Sequence, residues 1–368
     1  MRSALVIGGA GFLGSHIVDQ LLKNGGYNVT VFDIQDPSDD ARFDGVTYMK
    51  GSIVDATSIE NIQPLVVLHT ASPVHGLPDK IYYDVNEKGT QNVISACQAA
   101  GVKKLIYTSS TGVVWTGADF NGVNENSVAF PSKGYDAYHH TKALGERLIL
   151  AAEGRGGMQT AILRPCGMTG ERDKQLIWRM VEVYEKRQHT IQIGDNTNLV
   201  DYAYAGNIAL AHVLAAEKLI SQPEVITGQT FFVTNGEPLP QWDFARAIWK
   251  ELGDDGKARI TTIPRFVGLI MATLAELWCR ISGSSTQFTR FSVRFLTGTQ
   301  WYNIDKARNV LGYKPTVTVE EGIKRTVKVW FGPSLKRSLT SRSHSGGKKP
   351  VRRNMSTEIM FYDSIATI

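Results

Sequence analysis

Cysteine is scarce in this 368-residue chain: Cys97, Cys166 and Cys279 are the three, and no two stand close together. That spacing supports neither a disulfide framework nor a zinc-ligand pair, and it fits a reducing compartment. No metal is expected. Long apolar runs are also missing. The stretch FVGLIMATLA at 266–275 falls short of the about 20 residues that a spanning helix needs. No leader is expected ahead of the first strand, which begins at Ala4. An excess of one charge is missing too, despite a formal +5. Of 40 Lys/Arg and 35 Asp/Glu, seven and two follow Pro333, leaving 33 of each sign before it. A neutral body argues against a nucleic-acid partner. The Ser/Gly-rich basic segment 332–368 reads as a disordered, solvated tail, with anionic lipid as its alternative contact.

What is present is a regular alternation. The runs ALVIGG (4–9), NVTVFD (28–33), VTYMKG (46–51), LVVLHTAS (65–72), KKLIYTSS (103–110) and QTAILRP (159–165) are short and apolar. Helical patterns separate several of them: GSHIVDQLLKNG (14–25), DVNEKGTQNVISACQAAG (84–101) and GYDAYHHTKALGER (134–147). Buried strands alternating with amphipathic helices imply an α/β fold with a doubly wound parallel sheet. We expect a core over 1–165, and over 166–331 the remainder of the fold with a smaller C-terminal substrate lobe. That second part holds helical patterns near 174–187, 239–252 and 263–281, and a strand TFFVTN at 230–235. On the helix at 263–281, Glu276 and Arg280 mark a polar side. The opposite side either lies on a bilayer surface or packs on the core as an internal cover.

VIGGAGFLGSHIV places Gly8, Gly11 and Gly14 at three-residue spacing between a strand and a helix. The first glycine permits a tight turn and the second admits a pyrophosphate to the backbone. The third allows close helix–strand packing, and the helix N-terminus offers free N–H groups to anionic oxygens. The context of strand, turn and helix makes this a dinucleotide site. Asp33 ends the second strand 19 residues after Gly14. A carboxylate there holds ribose hydroxyls and repels a 2′-phosphate, which favours NAD over NADP.

Oxidising an alcohol needs a group that takes its proton while hydride leaves the carbon. Tyrosine is too weak an acid for this near neutrality unless an ammonium group favours its phenolate. Tyr138 and Lys142 stand four apart and share one helix face. The neighbouring His139 and His140 titrate nearer neutrality, yet they point off that face, and packing or solvent is expected to claim them. Tyr135 lies too near the helix start. A third group should hold the substrate oxygen: Ser110 is the choice, with Ser109 and Thr111 as alternatives at the same strand end.

The glycine turn 8–14, HTASP (69–73), VNEKGT (85–90), YTSS (107–110), YHHTK (138–142) and LRPCGMTGERD (163–173) resemble the extended short-chain dehydrogenases. FFVTNGEPLPQWDFARAIWKELG and WYNIDKARNVLGYKP narrow the resemblance to the 3β-hydroxysteroid dehydrogenase branch, with its decarboxylating sterol-4α-carboxylate members nearest. The likeness covers about residues 3 to 331. It implies a Rossmann-type fold, NAD as cofactor and Tyr138 as base. Lys142 would anchor the nicotinamide ribose and tune Tyr138, and Ser110 would hold the substrate oxygen. Phe12 and Leu13 in the glycine turn, Thr70, Ala71 and Ser72 after the fourth strand, and Pro165 would line the cofactor, with Asn86 supporting the helix nearby. Asp195, Asn198 and Asp201 would border the substrate or stabilise their own loop. The implied substrate is an apolar sterol or triterpenoid, oxidised at a 3β-hydroxyl with loss of CO2 when a 4α-carboxylate is present. The implied location is the cytosolic face of the endoplasmic reticulum or the cytoplasm, with membrane-surface contact and a homodimer as further partners. The rivals are a sugar-nucleotide epimerase or ketone reductase of the same fold, and a redox sensor that binds dinucleotide without chemistry.

Overall fold

The structure, a computed structural model, describes residues 1–59, 63–284, 286 and 288–342, with 59 and 332–342 as backbone only. Residues 1–327 form one compact unit and 328–368 a second. Seven parallel strands build the main sheet of the first: β1 (Arg2–Ile7), β2 (Tyr27–Asp33), β3 (Thr47–Lys50), β4 (Val66–His69), β5 (Lys104–Thr108), β6 (Gln159–Pro165) and β7 (Gln229–Val233). Their order is β7-β6-β5-β4-β1-β2-β3. The chain reverses its direction of travel across the sheet beside β1. The loops after β1 and β4 therefore flank one crevice at the carboxyl ends of the strands, where doubly wound folds bind ligands.

The strands are apolar on both faces because helices cover both. Val6, Val31, Val66, Leu68, Ile106 and Leu163 point to one side. There they meet Ile17, Val18 and Leu21 of α1 (Phe12–Asn24) and Ile208 and Ala211 of α5 (Ala205–Ser221). The alternate residues Leu5, Ile7, Val67, Leu105, Tyr107 and Ile162 face the other side. They pack on Val93 and Ile94 of α2 (Thr90–Ala99) and Ile149 of α3 (Ala137–Ala152). This two-residue alternation follows from the strand period, and it leaves little of the sheet in water.

The later half ties itself to this frame in short pieces. The boundary expected at residue 165 falls inside the first unit, because β7 pairs along β6 across it. Strand Phe120–Val123 joins Gln300–Tyr302, and Gly167–Thr169 joins Tyr202–Tyr204. Helices α4 (Leu176–Glu185), α6 (Gln241–Glu251), α7 (Arg265–Ser282) and α8 (Arg290–Thr297) follow.

Helix α7 overturns one expectation. An internal cover would bury its large apolar side chains, but the buried residues of α7 are Gly268 and Ala272. Phe266, Ile270, Leu274, Trp278 and Ile281 stand in the open, the last two 66% and 82% exposed. Its polar side is also tied inward: the Glu276 carboxylate accepts from the Arg290 backbone and guanidinium at 2.7 and 2.8 Å. The closing helix α9 (Val319–Arg342) continues past residue 332, where a disordered tail was expected. Extending an existing helix costs far less than nucleating one, which lets polar residues follow. The rest of that tail, 343–368, lies outside the described residues.

Candidate active site

The glycine turn sits where β1 passes into α1. Gly8 has φ +84°, and a Cβ there would lie 2.7 Å from the Ala71 nitrogen. A Cβ on Gly14 would lie 2.0 Å from the Gly8 carbonyl oxygen. Both positions therefore exclude any side chain. Gly11 caps α1 without a side-chain hydrogen bond, so the N–H groups of Phe12 and Leu13 face outward unpaired within the helix. That is an anion cradle of the kind a pyrophosphate needs.

Asp33 closes the turn from β2. One carboxylate oxygen accepts from the Ala10 N–H at 3.0 Å and the other from Gln35 at 3.2 Å. Burial pushes its pKa up while these N–H groups oppose it. Each oxygen keeps a lone pair for a ribose hydroxyl. Thr70 and Ala71 press against Gly8 from the end of β4, with the Thr70 hydroxyl donating to the Ile7 carbonyl at 3.0 Å. Their part in a dinucleotide site is to set the floor of the turn. Pro165 ends β6 buried, on the same sheet edge. These residues fit a dinucleotide with an unphosphorylated adenosine ribose.

Helix α3 carries Tyr138 and Lys142. It begins at Ala137 rather than near 134, because Asp136 caps it: its carboxylate accepts from the His139 N–H at 2.8 Å. Ser72 donates to the side-chain oxygen Oδ1 of Asn86 at 2.9 Å, and Asn86 Nδ2 donates to the Thr141 hydroxyl at 3.0 Å. Asn86 lies in a π-helical turn, Tyr83–Gly89, ahead of α2. A wide turn of this kind lets its side chain reach across to α3. Ser72 also lies within reach of the Tyr138 phenol, where it opposes the rise of its pKa.

The three strand-end hydroxyls separate by their partners. Ser109 is buried and donates to Glu146. Thr111 is buried beside Tyr302. Ser110 accepts from the Gly112 N–H at 3.1 Å, and its own proton remains available to a substrate oxygen.

The electrostatics of the pair differ from the expectation. Lys142 turns its ammonium to the Thr108 carbonyl at 2.5 Å and lies 4.3 Å over the Tyr107 ring. Burial pushes the Lys142 pKa down to about 7, with Glu146 opposing. Burial and then the Asp136 carboxylate push the Tyr138 phenol up to about 12, with Tyr82 adding and Ser72 opposing. Sequence spacing places both groups on one face; it cannot foresee that burial disfavours the charged form of each.

Sequence reasoning missed Glu146. It stands one turn beyond Lys142 and is wholly buried in a pair with Arg164 of β6, whose Nη2 donates at 2.7 Å. The pair stands behind Lys142 and orders Ser109. A further i+4 step along the same face was the signal. The histidines are claimed by packing, as expected. His139 binds Asp136 through Nδ1 at 2.7 Å, and His140 Nδ1 accepts from the Gly134 N–H at 3.1 Å. Tyr135 stacks on Trp115, away from Lys142. Asp195 accepts from Thr197, Asn198 donates to the Gly298 carbonyl and Asp201 accepts from the Tyr302 N–H, so all three hold loops together. Among the described residues no group of His, Cys, Asp or Glu is arranged to hold a metal ion.

Comparison with known proteins agrees with this geometry. The chain is 43% identical over 342 residues to the decarboxylating sterol-4-alpha-carboxylate 3-dehydrogenase of Schizosaccharomyces pombe, covering 91% of this chain and 99% of that protein. The human protein of the same description is 36% identical over 338 residues, covering 89% and 88%. Among solved structures, the UDP-glucuronic acid 4-epimerase of Bacillus cereus in complex with NAD superposes with a TM-score of 0.68. At 22% identity, over 91% and 99% of the two chains, that likeness is one of fold. The profile of the 3-beta hydroxysteroid dehydrogenase/isomerase family matches residues 5–265. The chain belongs to that family.

Proposed function

We propose that this protein is an NAD-dependent dehydrogenase that oxidises the 3β-hydroxyl of a 4α-carboxysterol, with loss of CO2. The observation that carries the reading is the meeting of the glycine-turn cradle, Asp33 and the Tyr138–Lys142 helix at one crevice, in a chain whose curated relatives bear that activity in their names. NAD supplies the hydride acceptor when bound. Gly8, Gly11 and Gly14 with Phe12 and Leu13 would hold its pyrophosphate, and Asp33 would hold the adenosine ribose. Tyr138 takes the hydroxyl proton, and Ser110 donates to the same substrate oxygen. With one N–H on the Thr108 carbonyl, the Lys142 ammonium has others with which it would anchor the nicotinamide ribose. Oxidation leaves a ketone beside the carbon that bears the carboxylate. The breaking C–C bond sends its electrons into that carbonyl, carbon dioxide departs, and the resulting enolate takes a proton at the carbon that bore the carboxylate.

The substrate is apolar, and α7 supports its delivery from a membrane surface. Between residues 257 and 297 there are six Lys/Arg and one Asp/Glu, and that Glu276 is bound to Arg290. A basic segment with a row of exposed large apolar side chains suits an anionic leaflet. Among the described residues no helix is long and apolar enough to cross a membrane. We infer that the enzyme meets a membrane at its surface, through α7.

The test is reduction of NAD, followed by its near-ultraviolet absorbance, with a 4α-carboxy-3β-hydroxysterol. Turnover that requires both the sterol and NAD supports the reading. Binding of NAD with no turnover on any sterol overturns the reading and leaves an enzyme of another substrate or a dinucleotide sensor.

A further inference from the structure

The catalytic phenol has a neighbour that the reaction above does not use. His75 comes from the loop after β4, and its ring lies 4.0 Å from the Tyr138 ring, centroid to centroid. Its backbone N–H donates to the Gln175 side chain at 3.3 Å, just before α4; part of the residue reaches solvent while its ring packs against Tyr138. His139 also touches Tyr138, at 5.3 Å, and lies 6.1 Å from His75. The titratable groups around His75 are His139, Asp136 and Arg179 of α4. Asp136, the carboxylate among them, is committed: one oxygen accepts both the ring and the backbone N–H of His139. Lys142 is turned to the Thr108 carbonyl. On the open side of the phenol, then, His75 is the basic group free to meet an anion.

That placement has a use if the proposed substrate is right. The carboxylate sits on the carbon next to the one bearing the hydroxyl. When the hydroxyl meets Tyr138, the carboxylate must lie within a few ångströms of it. We propose that His75, with Arg179 beside it, is the subsite that receives the substrate carboxylate and so selects carboxylated over uncarboxylated sterols. This inference rests on the proposed function and deepens it. His139 serves as a positioning residue, holding Asp136 away from His75.

The sign of its pH dependence follows. Burial first, then His139 and Arg179, holds the His75 imidazole below its ordinary value, while Asp136 pulls it up. A docked carboxylate favours the protonated ring. Binding of the carboxylated substrate then takes up a proton and weakens as pH rises, while binding of the uncarboxylated sterol does not.

The experiment uses the full-length enzyme with NAD and two substrates: a 4α-carboxy-3β-hydroxysterol and the same sterol without the carboxyl group. His75→Asn and His75→Gln are compared with wild type, with NAD binding and thermal melts verifying that each folds. The expected result is a rise of about tenfold or more in KM for the carboxylated sterol relative to the uncarboxylated one, equivalent to about 1.4 kcal/mol. It comes with loss of the pH dependence of that KM. His139→Asn shifts selectivity the same way by freeing Asp136. Equal effects on both sterols, or no effect on either, overturn the proposal. Wild-type turnover of the uncarboxylated sterol alone overturns the proposed substrate instead, whatever the variants do.

Discussion

At the scale of single residues, the account turns on two buried groups whose surroundings work against their charged forms. Tyr138 must give up its proton to act as a base, yet the structure holds its pKa near about 12. Oxidation should therefore quicken as pH rises through and above neutrality, and a rate profile of the wild type checks this. Tyr138→Phe should keep NAD binding, measured by fluorescence quenching, and lose about 10²–10⁴ of turnover. Lys142 gives a second prediction, about stability. Its pKa falls from 10.5 to about 7 on burial. The unfolded chain then binds the extra proton between those values, so stability rises with pH across that window. Below about 7 the buried ammonium costs its full penalty. Lys142→Met should raise the neutral-pH unfolding free energy, by about 1–4 kcal/mol where the site repacks well, while removing activity. Chemical denaturation with and without NAD measures it.

At the scale of elements, the catalytic helix is held at its start and its middle. Asp136 caps its start, and Glu146 locks its middle to Arg164 of β6. Glu146→Gln leaves Arg164 buried against a neutral partner and frees Ser109 beside Ser110. The expected cost is about 3–5 kcal/mol, read by thermal or urea unfolding, with a lower kcat in whatever folds. Much of this element was legible beforehand. The four-residue step from Tyr138 to Lys142 and the glycine turn repeat at fixed spacing, and spacing is what a sequence displays. The start of α3 was placed early, although Asp136 before an apolar run is a capping signal. The direction of the Lys142 ammonium was not legible, because it depends on which carbonyl at the end of β5 lies nearest. Nor was the separation of Ser109 from Ser110, which is decided by Glu146, 37 residues away from Ser109 in the chain.

At the scale of the whole molecule, the strand–helix alternation was readable because strands covered on both faces are apolar throughout. The six runs quoted from the first 165 residues and TFFVTN correspond to the seven strands of one sheet. The later half was harder. Apart from β7, its described strands are two or three residues long, too short for a period to show. The exposure of α7 could not be read either, since an amphipathic pattern does not say which side meets the protein. Here the small residues Gly268 and Ala272 do. Replacing Leu274 and Trp278 by serine should cut co-sedimentation with anionic vesicles and leave oxidation of a detergent-dispersed sterol near its wild-type rate. Unchanged vesicle binding would remove α7 from membrane contact.

The most direct measurement is mass spectrometry of the product formed from a 4α-carboxy-3β-hydroxysterol and NAD. The account predicts a 3-ketosterol lacking the carboxyl group, formed in step with reduced NAD and absent when Tyr138 is phenylalanine. A ketone that keeps its carboxyl group, or an unchanged sterol, would contradict it.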